Sequence, residues 1–145
     1  MLLGSMMAGQ SFANSPVAAV HALAYPIGGI FHISHGLSNS LVLPHVLKFN
    51  STNAKACEQY AFLAPFVFKD INQNTNTKII CNDFIDRLEN LSLLLNIPSK
   101  LRELDIPKEA CVMMAKESMK QTRLLVNNPR EVTEEDAFNI YNAAW

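Results

Sequence analysis

The chain has 145 residues, of which 49% are apolar, and 12 basic against 13 acidic side chains leave a net charge of −1. This length fits a single domain, residues 1–145, that can bury a sizeable core, and the apolar content excludes a disordered or fibrous protein. The balanced charge lacks the basic excess with which nucleic-acid-binding proteins neutralise phosphate, so no nucleic-acid partner is expected.

Charged residues are unevenly distributed, because no Lys, Arg, Asp or Glu precedes Lys48. A membrane span needs about 20 consecutive apolar residues, and a signal peptide needs a basic segment before its apolar one. Neither is predicted, so we expect no membrane partner and expect burial of this uncharged segment, under the rest of the chain or under a part beyond it. The residues that interrupt every candidate span are Gln10, Asn14, Pro16, His21, Pro26, His32 and His35.

The three cysteines, Cys57, Cys81 and Cys111, lie far apart in apolar or helical stretches. They lack the C-x-x-C spacing of zinc and redox sites. Buried free thiols are therefore the favoured interpretation, and an odd number of scattered thiols is typical of a reducing compartment such as the cytoplasm.

The hydrophobic pattern predicts helices throughout, beginning with an apolar helix over residues 1–13. Ser15 followed by Pro16 is typical of a helix start. This second helix is expected to stop near the Gly-Gly pair that begins at Gly28, and Pro26 is expected to end or kink it first.

A third helix is predicted over residues 35–49, with a bend at Pro44. Ser51 and Thr52 are expected to cap the fourth helix. Pro65 is expected to break or kink that helix near its end.

The second half of the chain follows a polar loop over residues 72–77. Pro98 is expected to end the next helix, Asp105 and Pro107 to begin another, and Thr133 to open the last one through a capping box. The fold class predicted is therefore all-α. The side chains expected in the core of these helices are Phe84, Leu88, Leu91, Leu95, Met113, Met114, Ala137, Ile140, Tyr141 and Ala144.

Three of the four histidines fall within residues 21–35. His21 lies in the middle of the second predicted helix and His35 begins the third, so two adjacent helices can bring the imidazoles together. Fe²⁺ and Zn²⁺ both accept imidazole ligands. A separation of fourteen residues across a helix break is not a recognised ligand spacing, however, and core histidines with ordinary hydrogen bonds remain the alternative.

The stretch over residues 15–50, SPVAAVHALAYPIGGIFHISHGLSNSLVLPHVLKFN, resembles the signature of the iron-containing (group III) alcohol dehydrogenases. That signature reads approximately G-x-x-H-x-x-x-H-x-x-G-G, then P-H-G-x-x-N-A and L-P-x-V. The preceding MLLGSMMAGQSFANS is similar to the family's A-S-x-x-A-G-x-A-F-x-N helix. The closing NNPREVTEEDAFNIYNAAW is similar to its usual ending, in which N-P-R precedes a capped final helix. The resemblance covers essentially the whole chain.

The resemblance implies a helical bundle like the C-terminal domain of that family. There one metal ion, Fe²⁺ or Zn²⁺, is held by an aspartate and three histidines, and two of those histidines fall on His21 and His35. The aspartate, the third histidine and the nucleotide-binding domain lie upstream in the family, outside this sequence. The residues agree that the ligand set is incomplete, because Fe²⁺ favours a carboxylate beside its imidazoles and no Asp or Glu precedes Glu58.

Two positions depart from the family pattern. Tyr25 stands where the family has a second histidine, near nicotinamide and substrate, and a phenol there can also relay a proton. A core aromatic with a buried hydroxyl is the equal alternative for Tyr25. Ser34 replaces the proline before His35 and is expected to cap the third helix.

Four further residues lie close to these positions in the sequence. Gly36 and Asn39 match the H-G-x-x-N motif. Gly36 is expected to permit close backbone approach beside the metal, and Asn39 is expected to hydrogen-bond a ligand histidine. His32 is expected to be a polar loop residue, and His45 a packed or surface histidine.

The resemblance implies that the chain is part of a metal-dependent, NAD(P)-linked enzyme that oxidises a small alcohol to an aldehyde or ketone by hydride transfer. With two of four ligands and no dinucleotide fold, the chain by itself is expected to be inactive. The alternative is a non-catalytic, truncated homologue, a helical association module that self-associates through the uncharged N-terminal segment. These residues do not show which alcohol is the substrate, whether the nucleotide is NAD or NADP, or whether the metal is iron or zinc.

Overall fold

A computed structural model describes residues 1–145 and contains eight α-helices, one 3-10 turn and no strand, so the all-α prediction is confirmed. No helix combines the length and the apolar character needed to span a bilayer. The helices are α1 (Leu2–Asn14), α2 (Ala19–Phe31), α3 (His35–Asn50), α4 (Ala54–Val67), α5 (Thr77–Leu94), α6 (Ala110–Ser118), α7 (Thr122–Leu125) and α8 (Glu134–Ala144), with the 3-10 turn at Leu101–Leu104.

Buried apolar side chains form two separate clusters. The main core has 19 residues, drawn mostly from α2, α3, α6 and α8, and includes Leu23, Leu41 and Met114. The satellite core has seven residues from α4, α5 and the loop between them. No residue of α1 is buried. Burial of the uncharged segment is therefore seen for α2 and α3 and not for α1.

The second helix differs from its prediction at both ends. It begins at Ala19, because neither Ser15 nor any other side chain caps an earlier start, and it continues through Gly28 to Phe31. A Cβ atom on Gly28 would lie 3.3 Å from the Ile33 carbonyl oxygen. Gly28 therefore lets the following turn approach the helix closely and does not end it.

Pro26 lies inside α2 without ending it. A proline lacks the N–H that would bond to the carbonyl one turn earlier, which loosens the helix locally. In the same turn the Tyr141 hydroxyl of α8 donates a hydrogen bond of 2.6 Å to the Leu23 carbonyl. Tertiary packing thus stabilises the helix where the proline weakens it.

The fourth helix also differs from its prediction. Asn53 is the N-cap, and its side chain accepts from the Ala56 N–H at 3.1 Å. Ser51 and Thr52 instead donate their hydroxyls back to carbonyls of α3. Pro65 lies within the helix, which continues to Val67.

The second half of the chain agrees with most of its predictions. Thr133 and Asp136 form the capping box of α8, and the whole predicted stripe of α8 is buried. Met114 is buried whereas Met113 is 40% exposed. On α5 only the first part of the predicted stripe is covered, and Leu91 and Leu95 are exposed, because the satellite core ends before them. The three cysteines are free and buried, as predicted.

The N-P-R segment before α8 connects the two cores. Asn50 at the end of α3 exchanges hydrogen bonds of 2.8 and 3.1 Å with Asn128 and donates to the Tyr60 hydroxyl of α4 at 3.2 Å. The Arg130 guanidinium lies 3.7 Å from the centre of the Phe49 ring, a close cation–π contact. These contacts join the end of α3 to α4 and to the segment before α8.

Candidate metal centre

A three-residue turn brings the start of α3 back onto α2. His32 adopts a left-handed backbone conformation with φ 58° and ends α2. Ser38 is buried, and its hydroxyl donates to the carbonyls of Ser34 at 3.0 Å and Ile33 at 3.3 Å. The expected cap by the Ser34 side chain is absent, and Ser38, which the sequence interpretation missed, closes the turn instead.

The turn places the imidazoles of His21 and His35 beside each other. Their ring centroids are 5.1 Å apart and their planes are tilted by 54°. A metal at about 2.1 Å from a ring nitrogen lies roughly 3.2 Å from the ring centre, so two rings on one tetrahedral metal have centroids about 5.3 Å apart. The observed separation therefore fits two imidazoles that share a metal ion.

The pair is electrostatically suited to bind a cation. Burial, and to a lesser extent the neighbouring His35, lower the pKa of His21. A lowered pKa keeps this imidazole neutral near pH 7, and the neutral ring is the form that binds metals. His21 is half-buried and His35 is exposed, so one edge of the pair is open.

Asn39 contacts this pair from one turn along α3. Its Nδ2 amide lies 3.1 Å from Nε2 of His35, which confirms the predicted hydrogen bond. The Oδ1 atom of Asn39 is buried and has no hydrogen-bond partner. Gly36 is exposed and a Cβ atom there would meet nothing within 4 Å, so this chain does not show the close approach expected at that position.

The remaining predicted positions lie around the pair or away from it. Tyr25 follows His21 by one turn and is 47% exposed, so the structure does not place it in the core. His32 is exposed in the turn, as expected. His45 is buried further along α3 and lines a cleft against α8, which agrees with a packed histidine.

These residues alone do not complete a metal site. The structure contains no group of three or more His, Cys, Asp or Glu side chains that could hold a metal ion. The donor set of His21 and His35 therefore fits two of the ligands that Fe²⁺ or Zn²⁺ would need, and further ligands have to come from outside these residues.

Two imidazoles thus lie beside each other on adjacent helices of an all-α bundle. The chain belongs to the iron-containing alcohol dehydrogenase family. The family model described as "Fe-containing alcohol dehydrogenase family, C-terminal" matches residues 1–145.

Relatives and solved structures match the chain over most or all of its length. It is 35% identical to long-chain-alcohol dehydrogenase 1 of Geobacillus thermodenitrificans (strain NG80-2), over 100% of this chain and 36% of that protein. It is 29% identical to lactaldehyde reductase of Escherichia coli (strain K12), over 100% of this chain and 37% of that protein. The structure of an alcohol dehydrogenase from Oenococcus oeni matches with a TM-score of 0.87 at 28% identity, over 97% of this chain and 36% of that one. The chain thus spans just over a third of the length of these proteins.

Proposed function

We propose that this chain supplies His21 and His35 as two metal ligands of an NAD(P)-linked dehydrogenase that oxidises an alcohol to an aldehyde or ketone. The proposal is carried by the 5.1 Å separation of the two imidazole rings. It is supported by the family to which the chain belongs. The names of the relatives, which include a long-chain-alcohol dehydrogenase, a lactaldehyde reductase and a 1,3-propanediol dehydrogenase, favour an alcohol or aldehyde as the substrate of the complete protein, without selecting its size.

The residues of this chain have separate parts in the proposed reaction. When bound, Fe²⁺ or Zn²⁺ supplies Lewis-acid polarisation of the alcohol oxygen, and NAD(P) accepts the hydride. His21 stays neutral because burial and His35 lower its pKa, so a ring nitrogen keeps its lone pair. Asn39 contacts Nε2 of His35, and in the metal-bound form its amide oxygen would accept the N–H at this nitrogen while the other ring nitrogen keeps its lone pair for the metal. Tyr25, one helical turn from His21 and half-exposed, relays the alcohol proton to solvent.

The chain by itself is expected to show no turnover. The other metal ligands and the nucleotide site are proposed to lie in the part of the relatives that this chain does not span. What these 145 residues can be tested for directly is therefore metal binding by the pair.

The test is the metal content of three purified proteins after reconstitution with Fe²⁺ without oxygen, or with Zn²⁺. The proteins are the wild type, the double variant His21→Ala/His35→Ala, and His32→Asn as a matched control, since His32 is an exposed histidine outside the pair and asparagine tolerates its left-handed backbone conformation. Metal retained by the wild type and the control but lost from the double variant supports the proposal. Equal metal content in all three proteins contradicts it, provided circular dichroism shows the same helix content.

A second function, self-association, is favoured by the exposure of α1. This helix carries no charge, and none of its residues is buried. Such a surface favours contact with another apolar surface, here a second copy of the chain. Its large apolar side chains are Leu2, Leu3, Met6, Met7 and Phe12, all at least half exposed.

Sedimentation velocity tests the association. The double variant Leu3→Glu/Met7→Glu places charge on α1, and Asn142→Glu places one on an exposed position of α8 as a control. An oligomer in the wild type and the control that becomes a monomer in the α1 variant supports this function. A monomeric wild type at every concentration contradicts it.

A further inference from the structure

The histidine pair is open on one side and has no charged neighbour within its own elements. His35 is exposed and His21 is half-buried. Gly36, next to His35, is exposed, and a Cβ atom there would meet nothing within 4 Å. No Lys, Arg, Asp or Glu occurs in α2, in the turn after it, or in α3 before Lys48. No fixed charge of these elements therefore opposes the approach of another molecule to the open side of the pair.

The pair leaves a tetrahedral metal ion half coordinated. The 5.1 Å separation of the ring centroids fits two imidazoles on one ion, and such an ion takes four ligands. No third His, Cys, Asp or Glu side chain of the chain completes a metal-binding group with the pair. The two missing donors are therefore water molecules or side chains of another molecule.

A second copy of the chain carries the two missing donors at the required separation. A twofold axis is the commonest symmetry between identical chains, and it gives both copies the same contacts. A tetrahedron also has twofold axes that exchange one pair of ligands with the other pair. A metal ion on the axis between two copies therefore receives one pair from each, and both pairs keep the 5.1 Å separation that this structure already shows. The pair within each copy needs no rearrangement to complete the coordination.

We propose that two copies of this chain bind one divalent cation between them, with His21 and His35 of each copy as its four ligands. This inference rests on the metal binding proposed above and adds the second copy as the partner of the site. The two imidazoles of the second copy replace the water molecules that complete the cation on a single chain. Zn²⁺ suits this set better than Fe²⁺, because Fe²⁺ favours a carboxylate beside its imidazoles.

The shared cation has a different role from a catalytic one. Four imidazoles fill all of its positions, so none is left for an alcohol oxygen, as in closed structural zinc sites. The cation links two chains, and its removal separates them. This dependence on metal distinguishes the shared site from association through the apolar surface of α1, which needs no cation.

The first experiment titrates the full 145-residue chain with Co²⁺, an analogue of Zn²⁺ whose tetrahedral complexes absorb visible light strongly. We expect the absorption to rise and to level off at half an equivalent of Co²⁺ per chain. His32→Asn, the matched control, is expected to give the same endpoint. His21→Ala/His35→Ala is expected to give no such absorption.

The second experiment measures the mass of the complex by sedimentation velocity, with Zn²⁺ or with EDTA. It uses Leu3→Glu/Met7→Glu, so that any association through α1 is already removed. This variant is expected to be monomeric in EDTA and to double its mass with half an equivalent of Zn²⁺. Adding EDTA is expected to return it to the monomer.

Three results would overturn the shared site. An endpoint of one equivalent of Co²⁺ per wild-type chain overturns it and leaves metal binding by a single chain intact. The same mass in Zn²⁺ and in EDTA also overturns it. A wild type that binds neither Co²⁺ nor Zn²⁺ overturns both this site and the metal binding on which it rests. Because the Co²⁺ endpoint is measured on the unmodified chain, a variant that fails to fold does not leave the inference undecided.

Discussion

The α2–α3 pair and the α4–α5 pair use the same motif, two packed helices joined by a turn, with different results. The first pair is joined by three residues and lies in a core of 19 buried residues. The second is joined by nine residues and shares a core of seven, with Phe62 and Phe66 of α4 exposed on its outer side. The histidine pair lies on α2 and α3, which are the more deeply buried of these two helix pairs.

The difference shows where this fold can hold two side chains at a fixed distance. Ligands of one metal have to keep their separation to within a few tenths of an ångström. A short turn, closed by Ser38 and packed on a large core, provides this rigidity. The α4–α5 pair has a longer connection and a smaller core, so it fixes the distance between two side chains less tightly.

The largest expected effects on stability come from truncating one buried side chain in each core. Leu23→Ala removes a fully buried side chain from the main core and is expected to cost about 2–5 kcal/mol of unfolding free energy. Ile85→Ala in the satellite core is expected near the lower end, about 2 kcal/mol, because solvent lies close and its neighbours can relax. Leu94→Ala, at 79% exposure, is the control and should change stability by less than about 0.5 kcal/mol.

Urea unfolding followed by circular dichroism measures these changes. If Ile85→Ala costs more than Leu23→Ala, the distinction between a main and a satellite core is wrong.

The second effect is a loss of folding stability at acidic pH, caused by His45 on α3. Burial lowers the pKa of His45 to about 4. The positive charges of Lys100 and Lys48 also lower this pKa, and the negative charge of Glu89 opposes them. The unfolded chain takes up a proton below about pH 6.5 that the folded chain does not, so stability falls as the pH drops from about 6.5 to about 4. The loss due to this group approaches about 3 kcal/mol at the acid end.

Urea unfolding between pH 7 and pH 4 checks this expectation. His45→Gln should lose less stability over that interval than the wild type, and His32→Gln, an exposed histidine, should match the wild type. An unchanged pH dependence in His45→Gln would show that other groups cause the acid loss.

The third and smallest effect tests the connection between the two regions. Asn50→Ala removes the bonds to Asn128 and Tyr60 and leaves the Asn128 side-chain oxygen without its donor, while the Asn128 Nδ2 group keeps its bond to the Arg130 carbonyl. The expected cost is about 1–3 kcal/mol. Asn142→Ala on the exposed side of α8 is the control. Equal stability of the two variants, measured by thermal unfolding, would mean that the amide network contributes nothing to joining the cores.

The sequence predicted the helices best where local signals and burial agree. The capping box at Thr133 and the apolar stripe that follows it fixed α8 correctly. The expectation that Pro26 or Pro65 would end a helix was wrong, because tertiary contacts outside the local sequence, such as the bond from Tyr141 to Leu23 in α2, can stabilise a helix that contains proline.

The candidate site was predictable in its residues and not in its geometry. The family signature identified His21, His35 and Asn39, and the structure brings all three together. Their separation depends on His32 in a left-handed conformation, which a residue with a side chain seldom adopts and which no local signal indicated.

The bare surface of α1 also has a consequence for its amide hydrogens. A thirteen-residue helix is close to the shortest length that persists in water unaided, and α1 has no buried side chain to hold it. Its amides should therefore exchange with deuterium far faster than those of α2 or α8, whose inner faces lie in the main core. Any surface that covers α1, from a second copy or from a longer chain, will slow that exchange. The deuterium uptake of the α1 amides therefore shows whether another surface covers this helix.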